Sequence, residues 1–203
     1  MSNIPFNDPV IIEIAKGNQL PAIAKTKNLF VDLLEDVISQ QLSGKVAEKI
    51  FNRFCAHFKH ATPSPESVIE CTVDELRALG LSNAKASYVK NIAEFATHNN
   101  LTVEYFDSLT DSQIVEQLTQ IKGVGEWTAQ MVLIFSLNRP DVFPLGDFAI
   151  QQGMKQLYSL THEGRELKLR LRTIADAWKP NRTIGARYVW HYLNQQKANA
   201  VRL

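Results

Sequence analysis

Cysteine is scarce in this 203-residue sequence: Cys55 and Cys71 stand alone, far apart and without a Cys-x-x-Cys spacing. That excludes a four-cysteine zinc site or iron-sulfur cluster and predicts ordinary reduced thiols. Of the five histidines only His57 and His60 lie close together. They read as a solvated helix face, so no metal site is expected. Long apolar runs are also missing. The longest, MVLIF at 131–135, is far short of the ~20 residues a spanning helix needs. The start, MSNIPFNDPV, has no basic segment followed by an apolar one. An intracellular protein with no membrane association is therefore expected. Net charge is small as well, +1 overall, so the whole chain is not an obvious polyanion binder.

The charge that is present is unevenly placed. Residues 165–203 carry nine Lys/Arg against two Asp/Glu, and residues 1–164 carry thirteen against nineteen. A basic tail of this kind is compatible with phosphate contacts or with a charged helix surface. Apolar residues recur at three- and four-residue spacing over 30–41, 45–58, 82–97, 112–121, 126–137, 148–158, 166–178 and 184–195, and no convincing alternating strand appears. Breaks at Gly44, ATPSP (61–65), Gly80, 98–100, 123–125, Pro140 and Pro180 are short, which makes the helices packed neighbours of an all-α protein. A faint internal echo relates 75–95 to 116–136, each reading as helix, glycine turn, helix.

The segment IKGVGEWTAQ (121–130) places two glycines around one valine immediately before a helix. Gly123 suits a left-handed residue that ends one helix, Val124 can plug into the helix pair below, and Gly125 lets a partner approach the backbone. The first N–H groups of the following helix would then point outward, where they and the helix dipole favour a phosphate. A plain glycine-rich turn between packed helices is the alternative, and the local pattern leaves both open.

Downstream, DVFPLGDFAIQQG (141–153) adds a loop closing on Phe-Pro and then an aspartate at a helix start. Together with IKGVGEWTA, ISQQLSGKVAEKIFNRF (38–54), GLSNAKASYVKNIAEF (80–95) and WKPNRTIGARYVWHYL (178–193), this order of motifs resembles the helix-hairpin-helix DNA glycosylase superfamily, and within it the DNA-3-methyladenine glycosylase II, or alkylbase glycosylase, branch. The resemblance spans about residues 30–195. It implies an all-α fold of two helical lobes, a central one at 34–143 carrying the hairpin and a second built from 1–33 and 144–203, with DNA bound in the cleft between them. It also implies excision of alkylated purines such as 3-methyladenine and 7-methylguanine from double-stranded DNA by a monomeric enzyme of the bacterial cytoplasm or nucleus. No organic cofactor is required, although hairpins of this type can hold a monovalent cation.

The same resemblance assigns roles to residues. The catalytic carboxylate falls on Asp147, which sequence alone reads first as the N-cap of the helix beginning at Phe148, a placement that does not conflict with the role in the reaction. Trp127 and Trp190 match base-pocket aromatics, with core packing as the alternative for each. Trp127 also stands where members that cut the DNA backbone carry a lysine, and an indole cannot form a Schiff base. Gln41 and Leu42 match the loop that enters the DNA stack, with Leu42 as the wedge. Ser82 and Lys85 match a second backbone contact, and Lys122, Gly123, Val124 and Gly125 the hairpin clamp. Three positions depart from the pattern: Lys122 where proline is common, Gly146 where relatives often carry an acid, and Asn181 where some carry an aromatic. The sequence also starts too late to hold the N-terminal β-rich domain of the larger bacterial relatives. A structure-specific DNA-binding protein that keeps the fold without the reaction is the alternative function, and the presence of Asp147 argues against it.

Overall fold

A computed structural model describes residues 4–200. Its described residues form α1 (Pro9–Ala15), α2 (Leu29–Ser39), α3 (Gly44–Ala56), α4 (Pro65–Glu70), α5 (Val73–Ala78), α6 (Asn83–His98), α7 (Val103–Asp107), α8 (Asp111–Leu118), α9 (Glu126–Met131), α10 (Phe148–Leu157), α11 (Gly164–Asp176) and α12 (Arg182–Ala200), and no strand. The eight periodic segments all appear as helices, the one at 126–137 as α9 continued by a π-helical turn over Val132–Ser136. No helix among the described residues is long and apolar enough to cross a membrane, and none of their His, Cys, Asp and Glu side chains gather into a metal-holding group of three.

Four short helices, α1, α4, α5 and α7, have no counterpart among the periodic segments. They are five to seven residues long, too short for a 3.6-residue repeat to register. Side-chain caps start them instead. Asp8 precedes Pro9 at the head of α1, reciprocal capping boxes join Ser64 to Ser67 and Thr72 to Glu75, and Thr102 caps α7.

The chain divides into two compact units, residues 24–137 and residues 1–23 with 138–203. The continuous unit begins before the expected 34 and ends before the expected 143; its earlier start takes in the whole of α2, which packs on α3, α6 and α9. In the continuous unit α2 is the central rod: Leu29, Phe30, Leu33, Leu34, Val37 and Ile38 are all buried. Around it α6 contributes Val89 and Ile92, α4 contributes Val68, and α8 contributes Ile114 and Leu118.

The discontinuous unit packs α1, α10, α11 and α12 around Ile11, Ile150, Met154, Leu167, Leu171, Trp178 and Val189. Gly185 lies against the Trp178 indole so closely that a Cβ would overlap the ring, so α12 and the preceding turn approach at backbone distance. The buried Asp8 carboxylate is the unit's polar tie. Oδ1 accepts from the Val10 and Ile11 amides at 2.9 and 3.1 Å, while Oδ2 accepts from Tyr158 Oη and Trp178 Nε1, each at 2.8 Å. Burial and the neighbouring carboxylate together push the Tyr158 phenol far above its ordinary range.

Within α2, half-buried Asp36 shares a strip with Asp32 and Glu35. Loss of water, then repulsion from those two carboxylates, pushes its carboxyl up to about 7 from an ordinary 3.8. The folded state thus favours the protonated acid more than the unfolded chain does. The resulting stability is complete below about pH 4 and is lost as pH rises through about 7. Asp36→Asn should therefore stabilise the protein at pH 8, on the order of 2–4 kcal/mol, and the gain should shrink as pH falls toward 5. Thermal melts of both proteins across that range check this; a pH-independent difference would contradict it.

Candidate functional site

The glycine hairpin lies in the continuous unit. α8 ends at Leu118 with Thr119 as its C-cap, the chain tightens through Ile121 N–H to Leu118 O (3.1 Å) and Val124 N–H to Ile121 O (2.9 Å), and α9 begins at Glu126. Val124 is buried, as its place between the glycines predicts. Gly123 sits at φ +107°, and a Cβ there would overlap the Tyr88 ring on α6. Gly125 is different. It is the N-cap of α9, offers no side-chain cap, and a Cβ on it would meet nothing within 4 Å. The backbone at the head of α9 is therefore open at this point, which a packed turn would not require.

Three side chains that hold the hairpin escaped sequence reasoning. Gln40 Nε2 donates to Gly123 O at 3.4 Å and to Thr128 Oγ1 at 3.1 Å, Asn91 Nδ2 donates to Lys122 O at 2.9 Å, and Tyr88 packs on Gly123. Nothing local marks them, since the Gln40 bonds join residues 83 and 88 apart in sequence.

The loop after α2 carries Gln41 and Leu42. Gln41 is exposed with φ +59°, a left-handed conformation uncommon for a non-glycine residue. Leu42 is only part-exposed, its amide bonded to Ser39 O at 3.1 Å, so the more prominent side chain is Gln41. Ser82 caps α6 through the Lys85 amide at 3.3 Å. The Lys85 ammonium does not extend outward as expected. It turns back to donate to Ile38 O and Gln40 O, each at 2.7 Å, closing the C-terminus of α2. A helix end leaves carbonyls without intrahelical partners, and a cation nearby satisfies both hydrogen bonding and the dipole. Burial depresses the Lys85 pKa.

The second cluster lies in the discontinuous unit. Asp147 is the N-cap of α10, with 9% of its surface exposed. Its Oδ1 accepts from the Ile150 amide at 2.8 Å and from Trp190 Nε1 at 3.1 Å. The loop before it is braced at each step: Asp147 N–H donates to Pro144 O at 2.9 Å and Gln151 Nε2 to Leu145 O at 2.8 Å. Further back, Arg182 grips both Asp141 oxygens at 2.8 Å, and Val142 N–H donates to Thr183 Oγ1 at 3.0 Å. Burial works against the Asp141 carboxylate, but the Arg182 hydrogen bonds and charge outweigh it and hold its pKa below the ordinary value.

Asp147 is thus the cap that sequence reading allowed, and its carboxylate is held in one place. A fixed carboxylate of this kind can stabilise a developing cation or accept a proton. Trp190 is part-buried and works through its indole N–H on Asp147, a role distinct from a stacking surface. Trp127, by contrast, is 40% exposed on α9. Phe148, directly after Asp147, is 75% exposed and was not among the residues singled out.

The chain is similar to known DNA repair proteins. A family model described as HhH-GPD superfamily base excision DNA repair protein matches residues 34–180. DNA-3-methyladenine glycosylase 1 of Schizosaccharomyces pombe is 39% identical over 178 residues, covering 86% of this chain and 77% of that protein. DNA-3-methyladenine glycosylase of Saccharomyces cerevisiae is 30% identical over 167 residues, covering 75% and 56%. Among solved structures, the S. pombe 3-methyladenine DNA glycosylase in complex with abasic DNA superposes with a TM-score of 0.80 at 36% identity, covering 90% of each chain. The DNA-3-methyladenine glycosidase of Bacillus halodurans gives 0.78 at 30%, covering 91% of this chain and 84% of the other.

The two hairpin glycines should respond differently to a methyl group. Gly123→Ala places a Cβ in the Tyr88 ring at a strained φ and should destabilise by about 2–3 kcal/mol. Gly125→Ala enters open space and should stay within about 0.5 kcal/mol of the parent. Equal melting temperatures for the two variants would contradict the assignment.

Proposed function

Because the chain belongs to the HhH-GPD superfamily of base excision DNA repair proteins, we infer that it is a monofunctional DNA N-glycosylase, acting as a monomer on double-stranded DNA to excise alkylated purines of the 3-methyladenine and 7-methylguanine type and leave an abasic site. The observation that carries this reading is the Asp147 carboxylate, fixed by two N–H donors on one oxygen at the head of α10. The names of the relatives, each a 3-methyladenine glycosylase, support the substrate class.

The chemistry follows from what a single carboxylate can do. As the C1′–N bond of a flipped nucleotide breaks, its electron pair goes to the departing base and the sugar becomes oxocarbenium-like. A purine already cationic through alkylation leaves as a neutral base and needs little protonation. Asp147 stabilises the sugar cation electrostatically, and water then adds to C1′ and gives its proton to the carboxylate. Trp190, through its N–H, positions that carboxylate. The exposed indole of Trp127 is assigned to stacking on the electron-poor base.

For binding, the open backbone at Gly125 and the head of α9 is assigned to a phosphate, with Lys122 and Ser82 contributing. Gln41 and Leu42 are assigned to the space left by the flipped nucleotide. Lys85 acts indirectly, by fixing the end of α2 beneath that loop. The reaction as drawn requires no cofactor. Should a monovalent cation bind the hairpin, the carbonyls of Ile121, Lys122 and Gly123 are the donors of suitable chemistry. Each already accepts one hydrogen bond and keeps a second lone pair.

Asparagine caps a helix as well as aspartate does, so Asp147→Asn should cost less than about 1 kcal/mol of stability. Release of 3-methyladenine from methylated duplex should nevertheless fall about 100-fold or more, on the order of 3 kcal/mol in the barrier, with affinity for abasic-site DNA near that of the parent. Full activity in the folded variant would remove Asp147 from the reaction. A parent protein that binds DNA but releases no base would instead establish the non-catalytic alternative.

Since Trp127 stands where lyase members carry lysine, borohydride should trap no covalent adduct with abasic DNA and the strand should remain uncut. An efficiently trapped complex would overturn the monofunctional assignment.

A further inference from the structure

Several cations on this protein's surface have carboxylate partners. Lys16, Lys25, Arg77, Lys155, Lys179 and Arg182 each pair with a carboxylate. Three along one side of α11 do not. Arg165, Lys168 and Arg172 are exposed, and none of them makes an ion pair among the described residues. Asp176, one turn beyond, is held by Lys179 at 2.7 Å.

The three cations line one groove of about 660 Å³, together with Glu166, Leu169 and Leu145. Glu166 is its single acid, and His162 Nε2 lies 3.3 Å from that carboxylate. The wall is therefore cationic. Leu169 is 63% exposed, a large apolar side chain left at the surface between Lys168 and Arg172. Leu145 is two residues from Asp147 and accepts from Gln151 in the braced loop, so the groove reaches the segment that carries the candidate catalytic carboxylate.

Arg165, Lys168 and Arg172 occupy one side of α11 at spacings of three and four residues, spanning about 10 Å along the axis. A nucleic acid strand rises about 3.4 Å per nucleotide, so this row matches a few consecutive phosphates. Arginine suits phosphate through its planar fork, and exposed leucines suit the apolar faces of sugars. We propose that the α11 groove is a second phosphodiester-binding track, separate from the glycine hairpin, in which Arg165, Lys168 and Arg172 hold successive phosphates of a DNA strand passing the Asp147 loop. The proposal rests on the glycosylase reading for the identity of the polyanion. It adds a binding site that this reading does not need for its chemistry.

The test compares the parent with the full-length R165Q/K168Q/R172Q variant, binding a duplex with a central abasic site over a range of salt concentrations. Each neutralised phosphate contributes about 0.9 to the slope of log K against log salt. The triple variant should therefore lose about 2–3 from that slope. The charge-keeping variant R165K/R172K should retain the parent slope, which separates loss of charge from damage to α11. An unchanged slope in a folded triple variant would overturn the proposal. So would binding of an acidic peptide by the groove with DNA binding untouched. If the parent released no base yet showed the charge-dependent slope, the glycosylase reading would fail while the groove stood. Intact base release with an unchanged slope in the triple variant would reject the groove alone.

Discussion

The candidate reaction centre depends on one oxygen atom. Asp147 Oδ1 receives the Ile150 amide, which makes it the cap of α10, and the Trp190 indole, which ties it to α12. Either bond alone would leave the side chain a rotation; the two together fix it. Capping and chemistry therefore ask for the same placement, and the helix start serves as the positioning device. The bracing of the preceding loop through Pro144, Gln151 and Thr183 extends that constraint back to residue 139.

The hairpin shows the complementary arrangement, in which packing secures one residue and leaves its neighbour clear. Gly123 is pressed against Tyr88, Val124 is buried, and Gly125 is open. Lys85 extends the same economy to α2, since one ammonium satisfies two terminal carbonyls just before the chain turns through Gln41 at positive φ. A left-handed glutamine costs on the order of 1 kcal/mol; the closed helix end beneath it and the Gln40 bonds to the hairpin hold that turn in place.

Sequence periodicity revealed the long helices, and glycine and cap chemistry revealed Gly123, Val124 and the capping role of Asp147, because each is written within four or five residues. What was not legible depends on partners distant in sequence. The destination of Lys85 requires knowing that α6 begins beside the end of α2, 45 residues away. The indole bond of Trp190 spans 43 residues, and a pocket-or-core choice for a tryptophan does not anticipate a third possibility, a polar tether. The short helices α1, α4 and α7 were missed since one or two turns carry no period, although the capping box at Ser64 was available as a signal. The family resemblance supplied the placement of Asp147 in a reaction, where local physics alone favoured a plain cap.

The discontinuity of one unit has a consequence for the order of events during synthesis. Residues 24–137 form a compact body whose partners are all present once α9 and its π-turn have emerged. Asp8 has a different schedule: its carboxylate accepts from Tyr158 and Trp178, 150 and 170 residues later. The first helix of the chain must wait for nearly the last, and a domain that folds as a unit cannot close until then. A nascent chain stalled after α10 would present a finished hairpin and an Asp147 that still lacks its Trp190 tether. The ribosome thus completes the part proposed to grip DNA before the part proposed to cut a base from it.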